Sequence, residues 1–143
     1  MTVDGTESGT RLKLAALWTS TLFLFAYVDL FSLYRPDVRA EIAAGELAGF
    51  TIDGPFLLGA TAYVLPAILM VFLSLVMPPR ACRAVTLVLC ALYALTIAAS
   101  AIGEWSYYVL GSIVELALLA TIVFHVRAWR TRARHADAPA PGT

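Results

Sequence analysis

Apolar residues fall into four long blocks, 14–33, 56–77, 84–102 and 105–126, with the polar residues gathered in the connections and tails. Each block has about the 20 residues that a helix needs to cross a hydrocarbon core of roughly 30 Å. A helix is the only open-ended way across, because every backbone N–H and C=O must find its partner inside the segment. The pattern therefore predicts an all-α fold: one four-helix transmembrane bundle over 14–127, antiparallel and up-down. Residues 1–13 read as a mobile N-terminal tail, and 128–143 as a disordered tail that is basic and then Ala/Pro-rich.

The connections carry their own signals. Pro36 discourages helix at Arg35 and ends span one. Asp37 is a plausible N-cap for a short external helix, VRAEIAAGELA, that Gly49 stops. FTIDGP then turns the chain, with Pro55 suited to the first position of span two. Pro66 removes one backbone bond in the middle of that span. MPPR and IGEW are so short that spans two and three, and spans three and four, must run antiparallel.

Composition sharpens this picture. The chain of 143 residues is 60% hydrophobic and only 14% charged, against about 25% charged in soluble domains. A formal net charge of zero gives no reason to expect a nucleic-acid partner. The partner it does call for is the lipid bilayer. Block 14–33 is too long for a signal-peptide core and lacks a small-x-small cleavage site after it, so it reads as a retained anchor. Arg11, Lys13, Arg80, Arg83, Arg127, Arg130, Arg132 and Arg134 fall on one side of the membrane, and only Arg35 and Arg39 on the other. By the positive-inside rule both termini are expected on the cytoplasmic side of a cell (plasma or inner) membrane. Cys82 and Cys90 form no CxxC and have no histidine cluster beside them, so neither a metal nor a cofactor is expected.

Chemistry enters through the polar residues inside the spans. Thr86, Cys90, Tyr93, Thr96 and Ser100 recur on one face of span three. Ala84, Ala91, Ala94, Ala98 and Ala101 form a second face, which suits close approach of another helix; Ala91, Ala94 and Ala98 are its expected contact in a homo-oligomer. Span four adds Tyr108, Ser112 and Glu115 on one face, and Asp29 lies in span one. Glu104, Asp29 and Glu115 form a descending series of acids with no Lys or Arg inside any span to pair with them. A charged acid at a helix centre costs roughly 2.5–3.5 kcal/mol on insertion scales, so these side chains should face protein or a cavity. Glu115 is expected to hydrogen-bond hydroxyls such as Tyr93 or Ser100. The candidate ligand-binding residues are Asp29, Glu115, Tyr93, Thr96, Ser100, Tyr108, Ser112 and Glu104, around an outward-facing polar pocket.

YVDLFSL, GFTIDGPFLLGA, the proline of VLPAIL and the acid of SIVELALL together resemble a family of small four-span bacterial membrane proteins, a domain of unknown function. That resemblance spans about 14–129 and implies the four-span topology. LFAYVDLFSLYRP followed by FLLGATAYVLP is also similar to the first two spans of the emopamil-binding-protein superfamily, some of whose members bind or isomerise sterol-like ligands with buried acids. The resemblance implies that Asp29 is a pocket acid. Members carry an acid in span two before the proline, where this chain has Gly59, Ala60 and Thr61.

Four readings follow from these residues. The first is a protein that binds a small lipophilic ligand in the acid-lined pocket. The second is an acid–base isomerase or cyclase on a lipophilic substrate, with Glu115 as acid and Asp29 as base or cation stabiliser. The third is a structural or partner-binding membrane protein whose acids only tie helix to helix. A proton-coupled transporter ranks last, because the half of the bundle nearer the termini is almost wholly Leu, Ile, Val and Ala.

Overall fold

The computed structural model describes residues 2–136, with side chains described from 7 to 129. Its elements are α1 (Thr2–Ser32), α2 (Pro36–Ala43), β1 (Glu46–Leu47), β2 (Phe50–Thr51), α3 (Gly54–Val76), α4 (Pro79–Ser100) and α5 (Ser106–Ala136). Four of the helices are long and apolar enough to cross a membrane: Glu7–Ser32, Gly54–Val76, Pro79–Ser100 and Ser106–Trp129. The fold is the expected all-α four-helix bundle. The expected tails differ. α1 is helical from Thr2, and α5 continues to Ala136, because nothing in 128–136 breaks a helix; residues 137–143 lie outside the described residues.

The connection between the first two spans also departs from expectation. α2 stops at Ala43, and the rest of the segment turns into a two-stranded hairpin with Glu46 opposite Thr51 and Leu47 opposite Phe50. The cause is local. Gly45, Ala48 and Gly49 all take positive φ, of 80°, 51° and 80°. Two successive positive-φ residues at 48 and 49 make the turn whose twist matches a hairpin. Asp37 does not cap α2 either: Arg35 occupies the N-cap position and Pro36 the first turn, leaving Asp37 inside it. Asp53, by contrast, caps α3 by accepting the Phe56 N–H at 2.8 Å.

Two ends of the bundle can be distinguished. The tail end holds both chain termini and the α3–α4 turn, and the hairpin end holds α2, the hairpin and the α4–α5 turn. Around the bundle the order is α3, α1, α5, α4. The first three neighbouring pairs pack extensively, and α3 approaches α4 least despite the tight turn that joins them. The core lies toward the tail end, where Leu14, Trp18, Thr21, Met70, Ser74, Cys82, Thr86, Ile122 and Val126 are fully or almost fully buried. Arg11 closes that end. Its Nη1 donates to the carbonyls of Ser74, Leu75 and Met77 at 3.3, 3.0 and 2.8 Å, and its guanidinium lies 5.4 Å from the centre of the Trp129 ring. These are carbonyls at the end of α3 that no further helical turn can satisfy.

The polar face of span three points inward as expected, with Thr86, Cys90 and Tyr93 buried and Thr96 half-buried. The alanine face does not turn toward the chain's other helices: Ala84, Ala91 and Ala98 are exposed and Ala94 is half-buried. α1 and α5 approach closely where Gly111 faces Val28. A Cβ at Gly111 would stand 2.5 Å from Val28 Cγ2.

That contact gives a direct test of how α1 is seated. Gly111→Ala should destabilise the protein by about 1–3 kcal/mol, the usual penalty of overpacking, and most of the loss should be recovered in a Val28→Ala background. Denaturant titration of the four proteins in detergent measures it. Equal losses in both backgrounds would mean that the two helices do not meet through these residues.

Candidate functional site: an acid-lined cavity

The hairpin-end half of the bundle is hollow. A cavity of about 830 Å³ is lined by Phe25, Val28 and Asp29 of α1, and by Phe56, Gly59, Ala60, Tyr63 and Val64 of α3. Thr96, Ile97 and Ser100 of α4, Tyr108 and Glu115 of α5, and Phe50 of the hairpin complete it. The volume is within the range of roughly 300–1,000 Å³ typical of small-molecule sites. The lining is mostly apolar and aromatic, with a few polar groups.

Tyr93 forms the floor rather than the wall. It is fully buried, and its ring meets those of Tyr63, Phe25 and Trp18 edge-on at centroid distances of 5.1, 5.8 and 6.2 Å. Its hydroxyl donates to the Tyr63 carbonyl at 2.7 Å. That bond crosses from α4 to α3 within a turn of Pro66, where the helix has lost a backbone donor.

Asp29 and Glu115 reach the same cavity from different helices. Glu115 is buried at 5% exposure, whereas Asp29 is exposed. Hydroxyls surround them but are engaged elsewhere. Tyr63 bonds Thr96; Tyr108 donates to Ser100 at 3.3 Å; Ser100 donates to the Ile97 carbonyl at 3.0 Å. The expected bonds from Tyr93 or Ser100 to Glu115 are therefore not formed. Among the described residues neither carboxyl has a hydrogen-bonding side chain or a basic partner. No basic residue lines the cavity.

Of the residues expected from the sequence, Asp29, Glu115, Thr96, Ser100 and Tyr108 line the cavity. Tyr93, Ser112 and Glu104 do not. Ser112 is buried in α5, its hydroxyl without a hydrogen-bond partner among the described residues. Glu104 is removed from the acid series by Arg35, which pairs with it across the hairpin end. The sequence reading missed Phe25, Phe50, Phe56, Tyr63, Gly59 and Ala60. Gly59 and Ala60 were a visible signal, since two small residues one turn into a membrane helix leave space beside it.

Arg35 anchors the hairpin end. It bonds Asp37 at 2.6 Å and Glu104, and it lies 4.9 Å from the Trp105 ring centre. Ser32 and Tyr107 share a 2.8 Å hydrogen bond beside it. Among the described residues no group of His, Cys, Asp or Glu could hold a metal ion. The chain matches no family model, no curated protein and no solved structure.

The hydrogen bonds from Arg35 hold the Asp37 carboxyl below its ordinary 3.8. An acid depressed in the folded state stabilises it above the ordinary value, and the contribution is lost as pH falls through the folded one. Wild type should therefore melt above Asp37→Asn at neutral pH, and the gap should begin to narrow as pH falls past about 3.8, closing only below the depressed folded-state value. Thermal melts followed by Trp fluorescence across pH 3–7 measure it. A gap unchanged at low pH would show that the pair contributes nothing to the fold.

Proposed function

We propose that this is a multi-pass membrane protein that binds a small lipophilic ligand carrying a protonated amine. The observation that carries the reading is the meeting of two carboxyls, Asp29 and Glu115, in one largely apolar cavity where, among the described residues, no cation and no hydrogen-bonding side chain serves them. A ligand ammonium would supply both. Phe25, Phe50, Phe56, Tyr63 and Tyr108 would cover its apolar body and offer ring faces to its charge.

The asymmetry of the basic residues supports cytoplasmic termini in a cell membrane, which puts the hairpin end and the cavity on the outer side. The similarity of the first two spans to the emopamil-binding-protein superfamily is compatible with this placement. Gly59 and Ala60 stand where that superfamily has its span-two acid, and both line the cavity, which leaves Glu115 to provide the second carboxyl. The same pair would serve an isomerase or cyclase, a reading that requires turnover as well as binding.

A dansyl-labelled alkyl dimethylamine and the alcohol of equal chain length distinguish charge recognition from partition. In nanodiscs the amine should bind at least tenfold more tightly than the alcohol, and Glu115→Gln and Asp29→Asn should each weaken the amine about tenfold or more. That is the scale of losing one charge-assisted bond. Equal affinity for amine and alcohol, or unchanged affinity in both variants, would sink the proposal.

A further inference from the structure

The cavity's walls are not equally closed. α1 packs closely on α3 and on α5, the latter through the Gly111–Val28 approach. α4 and α5 are joined by a tight turn, and Tyr108 bonds across them to Ser100. At the hairpin end Phe50 stacks against Phe56 at 6.3 Å over the cavity, while Arg35 with Glu104 ties the start of α2 to the α4–α5 turn and Ser32 with Tyr107 ties α1 to α5. The α3–α4 side is different. The two helices approach least there, and the residues facing each other across the cavity, Gly59, Ala60 and Tyr63 against Ser100, are exposed. A Cβ at Gly59 would meet nothing within 4 Å. Among the described residues, the hydrogen bonds that span this gap run from the Tyr63 hydroxyl to Thr96 and, beneath it, from Tyr93 to the Tyr63 carbonyl.

Depth matters. Gly59 and Thr96 lie about 6–8 Å inside the ends of their helices at 1.5 Å per residue. In a bilayer this is the boundary between headgroups and acyl chains, where the charged end of an amphiphile resides with its tail pointing toward the membrane centre.

We propose that the ligand reaches the cavity sideways from the bilayer, through the seam between α3 and α4, and that the Tyr63–Thr96 hydrogen bond is the bar across that seam. The proposal rests on the ligand-binding reading above. Breaking the Tyr63–Thr96 bond frees the Tyr63 ring to swing, while the Tyr93 bond below keeps the helices together. The small residues Gly59 and Ala60 then leave a passage wide enough for an alkyl chain.

The test uses the dansyl amine with the full chain in proteoliposomes. At fixed total amine, the association rate should follow the amine's mole fraction in the lipid as the lipid-to-protein ratio is varied. Tyr63→Phe and Thr96→Val should each speed association and dissociation together by about fivefold, the scale of one neutral hydrogen bond. Gly59→Leu, which fills the seam, should slow both. Rates that follow the free aqueous amine, ignore all three variants and rise only in Phe50→Ala would overturn the portal and place the opening under the hairpin. If wild-type protein does not retain the amine in preference to the alcohol, the binding reading falls and the portal with it.

Discussion

The bond from the Tyr93 hydroxyl to the Tyr63 carbonyl divides this molecule in two. Inside a bilayer no water is available to satisfy backbone groups near a proline, so a neighbouring helix must do so. Tyr93 provides that partner close to Pro66 and fixes α4 to α3 at one height. On the tail side of it, aromatic and aliphatic side chains, with a few small polar ones such as Thr21, Ser74 and Thr86, fill the space. On the hairpin side the helices stand apart, and the aromatic rings that meet Tyr93 become the base of a cavity.

Such a hollow half needs its ends tied, and two arginines do so in different ways. Arg11 donates to backbone: it closes the last turn of α3 from α1 and rests on Trp129 of α5, joining three helices at the tail end. Arg35 pairs with side chains, Asp37 and Glu104, and rests on Trp105, joining the start of α2 to the α4–α5 turn. Both place a delocalised cation over an indole where the helices leave the apolar zone, a position that suits both groups. The hairpin-end tie has a consequence for the site. By engaging Glu104 it leaves Asp29 and Glu115 as the acids that line the cavity among the described residues.

How far the sequence could be read depends on which property was in question. The four spans were legible because hydrophobic length is a property of each segment alone. So was the inward polar face of α4, since Thr86, Cys90 and Tyr93 repeat at helical spacing and only one side of that helix meets its partners. The meeting of Asp29 with Glu115 was not legible. It depends on the rotation of α1 against α5, which the Gly111–Val28 contact sets, and no local pattern encodes that angle. The aromatic lining was hidden for a different reason: Phe25, Phe56 and Tyr63 in an apolar span look the same whether they face lipid or a cavity. Phe50 was misplaced with its element, because positive φ at Ala48 and Gly49 converts what reads as the end of a helix into a hairpin that carries Phe50 over the cavity.

The unequal halves also favour the proposed binding reading over transport. A carrier using Asp29 and Glu115 would need a polar route from the cavity to the tail end. Below Tyr93 the described interior presents Leu14, Trp18, Met70, Ile122 and Val126, all essentially without exposure, and the buried Thr21 and Ser74 hydroxyls donate to carbonyls of their own helices. The polar atoms buried in that half include Trp18 Nε1 and Thr86 Oγ1, which lack partners and do not connect into a chain of hydrogen bonds. Opening a route there would mean separating the best-packed part of the bundle and undoing the Arg11 contacts with the end of α3. Opening the seam between α3 and α4 requires the loss of one side-chain hydrogen bond. In the reading proposed above, the bundle yields most easily toward the bilayer beside the cavity, and a molecule held between the two acids would leave through the proposed seam.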